Sequence, residues 1–170
     1  MSPAGISMFY CSETLQTAKA EALSTLRDKN SSALTAATWS PSRPLLLLNL
    51  CDLRATPSFW FSYRSERDRV LFLKDFTKSI SQPVVHDGRE HIDYVPSQIV
   101  TEYFRHVYRT DDGKQLDGII FPSARARKGK NLVIFASSDD LRPVSENDFD
   151  STPPILTLDS SSIKRLRIRS

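Results

Sequence analysis

The chain has 170 residues, 39% hydrophobic and 25% charged, with a formal net charge of +3. That length fits one domain with a real core and leaves little room for a second. The composition is ordinary for a globular protein, the charge is too weak to argue for direct nucleic-acid binding, and two cysteines exclude a disulfide framework or a four-cysteine metal site.

In chain order, Pro3-Ala4-Gly5 signals a turn and Ile6 to Cys11 reads as a short strand. Ser12 and Thr14 mark the N-terminus of a helix predicted from Glu13 to Arg27. Leu15, Ala18, Ala22 and Leu26 are its expected buried stripe. Glu21 falls on the same side as Thr17, four residues away. Tyr10, at the end of the strand, and Glu21, on the helix, are therefore expected at one strand–helix corner. Leu34 to Trp39 is a predicted strand, and Ser40 to Pro44 breaks the chain. The continuous apolar run Leu45 to Leu50 predicts a central strand, followed by Cys51 as a buried reduced thiol.

Phe59-Trp60-Phe61-Tyr63 is an aromatic patch expected to serve in packing. Ser65 to Ser79 has the pattern of an amphipathic helix, and Pro83 to Arg89 that of a loop in which Val84-Val85 forms a short strand. Val95-Pro96 opens a further helix, with Ile99, Val100, Tyr103, Phe104 and Val107 as its apolar face and Asp111-Asp112-Gly113 as its stop. Asp117 to Phe121 and Asn131 to Phe135 predict a hairpin joined by Ser123 to Gly129. Beyond Ser138 the chain is polar, acidic at Ser145 to Asp150 and basic from Ser160 to Ser170, where an imperfect alternation predicts an edge strand at most. The expected fold is α+β, one domain over residues 1–140 followed by a polar C-terminal extension over 141–170. No segment has a basic start followed by a long apolar stretch, and the run Leu45 to Leu48 is far short of the ~20 residues that span a bilayer. A cytoplasmic location without a membrane partner is the expectation.

Most catalytic signatures are missing. Ser123 is not in a Gly-x-Ser-x-Gly elbow, and with 5 glycines the chain has neither a Walker loop nor a Gly-x-Gly-x-x-Gly turn. His86, His91 and His106 lack a Cys or His partner at ligand spacing, so no metal is expected. Arg125-Ala126-Arg127-Lys128-Gly129-Lys130 is a dense basic loop, readable as a solvated hairpin tip or as a patch that steers an anion.

Three ordered blocks add a resemblance. Pro3-Ala4-Gly5-Ile6 with Phe9-Tyr10 and Thr17-Ala18-x-x-Glu21, then Tyr94 to Arg105, then Asp117 to Ser123 with Gly129 to Phe135, resemble the RES domain family over most of the chain. The resemblance implies an ADP-ribosyltransferase-like fold, a mixed or antiparallel β core with flanking helices. It also implies a toxin that depletes NAD, cleaving the nicotinamide–ribose bond by hydrolysis or phosphorolysis. NAD is then a substrate, a helix-turn-helix antitoxin the partner, and a homo-oligomer compatible with the pattern. Carried over by motif, Glu21 and Ser123 are the catalytic pair, and Tyr10 joins them in binding NAD.

The family's arginine normally lies just upstream of the Pro-Ala-Gly-Ile block, and here no Arg precedes Tyr10. Arg54, Arg125 and Arg127 are the substitutes to consider. A catalytically weak or inactive interaction module, and ADP-ribosyl transfer to a macromolecule, are the alternative functions.

Overall fold

The computed structural model describes residues 2, 5–26, 33–58, 64–82, 95–143 and 153–167. Its first half runs β1 (Phe9–Ser12), α1 (Leu15–Leu26), β2 (Ala33–Pro41), β3 (Leu47–Asn49) and α2 (Arg64–Ile80). Next comes α3 (Val95–Glu102), which continues as a π-helical turn over Tyr103–Val107. β4 (Gly118–Pro122), β5 (Lys130–Ile134), a 3-10 turn at Ser138–Asp140, β6 (Leu141–Pro143) and β7 (Leu156–Arg167) complete it. The α+β expectation holds.

Two sheets form. One has the strand order β1-β5-β4-β3, the other β2-β7-β6. Side chains alternate across a strand, so each strand of the first sheet feeds two different cores. Ile119, Phe121 and Val133 point to one side and join Phe76 of α2 and Phe104 of the π turn. Ile134 and Leu132 point to the other side and meet Leu156, Trp39 and Leu141 of the second sheet. Phe9 crosses between the sheets to Trp39, with ring centroids 5.1 Å apart. The first sheet is thus the middle layer, covered by helices on one face and by a sheet on the other. Ile119 and Val133, both at 0% exposure, are each worth about 1.5–3 kcal/mol of burial.

The predicted hairpin forms as expected: β4 and β5 pair antiparallel with Ile119 opposite Val133 and Phe121 opposite Asn131. Other expectations are corrected. Among the described residues the run Leu45 to Leu50 is an edge strand, because β3 pairs there with β4 alone, and in parallel. It is continuously apolar because Leu47 faces the second sheet and Leu48 the helices. Asn49 then accepts the Cys51 N–H at 2.9 Å and turns the chain.

On α1, Leu15 is 51% exposed while Thr17 is buried. The helix turns a polar stripe inward, because the segment it packs against is the polar β4–β5 loop. The apolar face expected for α3 forms only in part, with Phe104 and Val100 packed in the core. Ile99 and Val107 are exposed while Ser97, Thr101 and Phe104 are buried. Thr101 satisfies its hydroxyl on the Ser97 carbonyl at 2.7 Å, which lets a polar pair face the core.

The strand expected at an edge near the C-terminus is instead the middle strand of its sheet. β7 pairs antiparallel with β2 and parallel with β6, and Leu156 is a core residue. Its exposed basic outer half hides this role from a hydrophobicity pattern. The residues after 140 therefore build the second sheet with β2 rather than trailing behind the fold. The aromatic patch Phe59 to Tyr63, the Val84-Val85 strand, His86, His91 and the acidic segment Ser145 to Asp150 lie outside the described residues. Among the described residues, no helix is long and apolar enough to cross a membrane.

Candidate functional site

Where α1 meets the end of the β4–β5 hairpin, four polar side chains form a connected chain. Ser123 Oγ donates to Glu21 Oε1 at 2.6 Å. Asn131 Nδ2 donates to the same oxygen at 2.8 Å. Ser12 Oγ donates to Asn131 Oδ1 at 2.7 Å. A carboxylate only accepts, so the Asn131 amide must turn its nitrogen to Glu21 and its oxygen to Ser12.

Local structure brings these groups together. Ser12 and Asn131 are directly opposite in the β1–β5 ladder, which fixes them on one face. The start of α1 is tied to the sheet by Glu13 N–H donating to the Lys130 carbonyl at 3.0 Å. Thr14 Oγ1 accepts the Thr17 N–H at 3.2 Å and lies 2.9 Å from Thr17 Oγ1, capping the helix. Seven residues past Thr14, Glu21 reaches the hairpin loop. Gly129 allows the close approach, since a Cβ there would stand 2.7 Å from Thr17 Oγ1 and 2.8 Å from Ala126 Cβ.

The loop in turn is closed around Ser123. Ser123 N–H donates to the Gly129 carbonyl at 2.8 Å. The N–H groups of Arg125 and Ala126 donate to Ser123 Oγ at 3.1 and 2.9 Å. A hydroxyl has one proton and two lone pairs. With both N–H donors on its oxygen, the Ser123 proton is directed to Glu21. Ser123 therefore acts in this arrangement as a positioning group for the carboxylate, and the basic loop Arg125 to Lys130 is fixed beside it.

Tyr10 lies on the same sheet face, opposite Val133 and two residues from Ser12, so roughly 7 Å separates the two positions along the strand. Its side chain is 47% exposed, and its hydroxyl accepts the Ser2 N–H at 2.9 Å. Gln98 of α3 donates to the Ser2 carbonyl at 3.3 Å, extending the connection. The structure thus joins Glu21 and Ser123 directly and places Tyr10 at their flank.

Arg54 is elsewhere. It follows β3, at the sheet edge opposite β1, and pairs with Glu66 of α2 at 3.7 Å. Of the basic substitutes, Arg125 and Arg127 are the two in the loop that carries Ser123. Cys11 points to the other face of the sheet, and burial pushes its thiol up to about 11, which suits a packing role.

Asn131 and Ser12 were not singled out by the sequence pattern. Two signals could have found them. Asn131 is the lone polar residue in Asn-Leu-Val-Ile-Phe, and Ser12 stands two positions from Tyr10, the spacing that shares a strand face.

A family model described as the RES domain matches residues 1–155. The chain belongs to the RES domain family. Neither curated proteins nor solved structures provide a match. The family is NAD-related and toxin-type in function, and its members usually sit in toxin–antitoxin systems. In this RES domain the match spans all four strands of the first sheet, the helices and the Glu21–Ser123 contact, and it stops at the residue before β7.

Proposed function

We propose that this RES domain cleaves the nicotinamide–ribose bond of NAD as the toxin of a toxin–antitoxin pair. The observation that carries the reading is the Glu21 carboxylate, held by Ser123 and Asn131 on one oxygen beside a basic loop. In the scissile bond the nicotinamide nitrogen is cationic. When that bond breaks, its electron pair goes to the ring nitrogen and nicotinamide leaves neutral, so no general acid is required. One carboxylate is enough, unlike ordinary glycosidases that use two.

Positive charge grows on the ribose, and Glu21 stabilises it while accepting a hydrogen bond from a ribose hydroxyl. Ser123 and Asn131 position the carboxylate before substrate arrives, so little reorganisation accompanies the reaction. The Tyr10 ring offers a face for nicotinamide or ribose, and Arg125 and Arg127 a charge field for the diphosphate. Water adds to the anomeric carbon and releases its proton, giving ADP-ribose; phosphate as acceptor would give the phosphorylated sugar instead. A cytoplasmic antitoxin with a helix-turn-helix fold would be the natural partner.

Incubation of the full chain with NAD, with free nicotinamide followed by chromatography, tests the reading. Release is expected, falling on the order of 10²–10³-fold in Glu21→Gln, the cost of one misplaced charge-stabilising group. Absence of release by wild type, or equal release by Glu21→Gln, would sink it. Label from NAD retained on protein or nucleic acid would instead identify a transferase.

A further inference from the structure

At the other end of β4 lies a cavity of about 490 Å³, lined by Arg43, Arg105, His106 and Lys114 above Leu46 and Leu116. Asp117 precedes β4 and Ser123 follows it, so roughly 20 Å of strand separates this cavity from Glu21. We propose that the cavity is a second binding site, for a small organic phosphate, distinct from the site at Glu21 and Ser123.

The helix is built unusually where it reaches this cavity. Tyr108 N–H donates to the Tyr103 carbonyl at 2.9 Å, an i to i+5 bond that widens the last turn of α3. Such π turns occur frequently at functional sites. Here the widened turn carries Arg105 and His106, and the Arg105 carbonyl accepts a hydrogen bond from Gln115. That bond holds the segment bearing Lys114 and Asp117 against the helix end.

Positive side chains outnumber negative ones in the cavity wall, and two further carboxylates, Glu102 and Asp112, flank it. Arg43, Arg105 and Lys114 are three permanent cations, against the single carboxylate of Asp117 in the lining. Asp117 is already committed, accepting Arg43 at 2.6 and 3.1 Å and the Leu46 N–H at 2.7 Å. Arg105 Nη1 is buried and makes no hydrogen bond; it has a loose ion pair, 3.9 Å to Glu102 Oε1, while the other Glu102 oxygen lies 3.3 Å from His106 Nε2. An unsatisfied buried guanidinium nitrogen calls for a further polar group nearby. Lys114 pairs with Asp112, but at 70% exposure that pair is weak and is readily exchanged for a ligand phosphate.

Guanidinium and ammonium groups over an apolar wall suit a phosphate joined to a flat organic body. The volume lies in the usual range for small-molecule pockets, roughly 300–1,000 Å³.

Backbone amide spectra of the ¹⁵N-labelled full chain, titrated with ADP and separately with adenosine, provide the test. ADP is expected to shift the amides of Leu46, His106, Lys114 and Asp117 saturably, with a dissociation constant on the order of 0.1–1 mM. Adenosine should leave them in place. The variant His106→Gln with Lys114→Gln, whose native side chains are 59% and 70% exposed, should keep a dispersed spectrum and bind ADP about tenfold more weakly. Shifts confined to residues 123–131, shifts that never saturate, equal shifts by adenosine, or binding undiminished in the variant would each overturn the proposal. Because the readout is positional, it stands or falls independently of NAD cleavage.

Discussion

Asn131 Nδ2 lies 2.8 Å from Glu21 Oε1, the oxygen that Ser123 Oγ also approaches at 2.6 Å. Two donors from opposite ends of one hairpin loop therefore fix a carboxylate that the helix alone would leave to rotate. Asn131→Leu is expected to lower kcat for NAD about tenfold with little change in KM, since the lost hydrogen bond to a charged group is worth about 1.5–3 kcal/mol. With Ser123→Ala the losses should be non-additive, by roughly 0.5–3 kcal/mol of coupling. Strict additivity would show that the two residues do not act through the same carboxylate.

Gly129 sits where a Cβ would press on Thr17 and Ala126. Gly129→Ala should lower stability by about 1–3 kcal/mol, as overpacking does, and push the hairpin loop away from α1. Thr17→Ala in the same chain should restore part of the loss, because it removes the nearest atom. Denaturant midpoints measure both. A Gly129→Ala chain as stable as wild type would mean that the loop is not held this closely.

The Tyr10 hydroxyl is used to hold Ser2, which leaves the ring as the part that faces the proposed substrate. Tyr10→Phe should therefore keep kcat/KM within about threefold, while Tyr10→Ala should lower it on the order of tenfold. Equal damage by both substitutions would assign the function to the hydroxyl instead.

Asp117 anchors Arg43 and the Leu46 N–H. Burial pulls its carboxyl up, but the Arg43 hydrogen bond and charge and the Leu46 N–H together hold it below the ordinary 3.8. A lowered folded value means that the unfolded chain binds this proton more readily. The contribution is therefore complete above about pH 4 and fades as pH falls through the depressed value. Urea unfolding of wild type and Asp117→Asn should differ by about 1 kcal/mol at pH 7, a figure discounted for the exposure of Arg43, and converge near pH 2. A difference that persists at pH 2 would place the effect in shape rather than charge.

The family and the hairpin were legible in the linear sequence because each depends on local signals. Pro-Ala-Gly-Ile with Thr-Ala-x-x-Glu, and two apolar strands flanking a basic loop, are patterns of neighbours. So was the pairing of Thr17 with Glu21, which follows from helical spacing alone. The inward face of α1 was not legible. Leu15 looks like core and Thr17 does not, yet a polar loop that arrives from more than a hundred residues later reverses them. The face of α3 was misjudged in part for a related reason: Ser97 and Thr101 do not look like core either, yet they lie on the helical stripe that leads to Phe104, while Ile99 stands off it.

By itself, then, the sequence determined the α+β class, the family, the β4–β5 hairpin and the identities of Glu21, Ser123 and Tyr10 as residues to watch. Only the tertiary structure decided what they touch. The strand ladder sets Asn131 opposite Ser12, and Gly129 lets the loop close on α1 until Ser123 and Asn131 reach one oxygen of Glu21. The same structure moved β7 to the middle of its sheet, because register and pairing depend on partners far away in the chain and not on the alternation within one strand. Hydrogen bonds between residues 102 to 119 positions apart leave no periodic trace, and only folding brings their donors within reach.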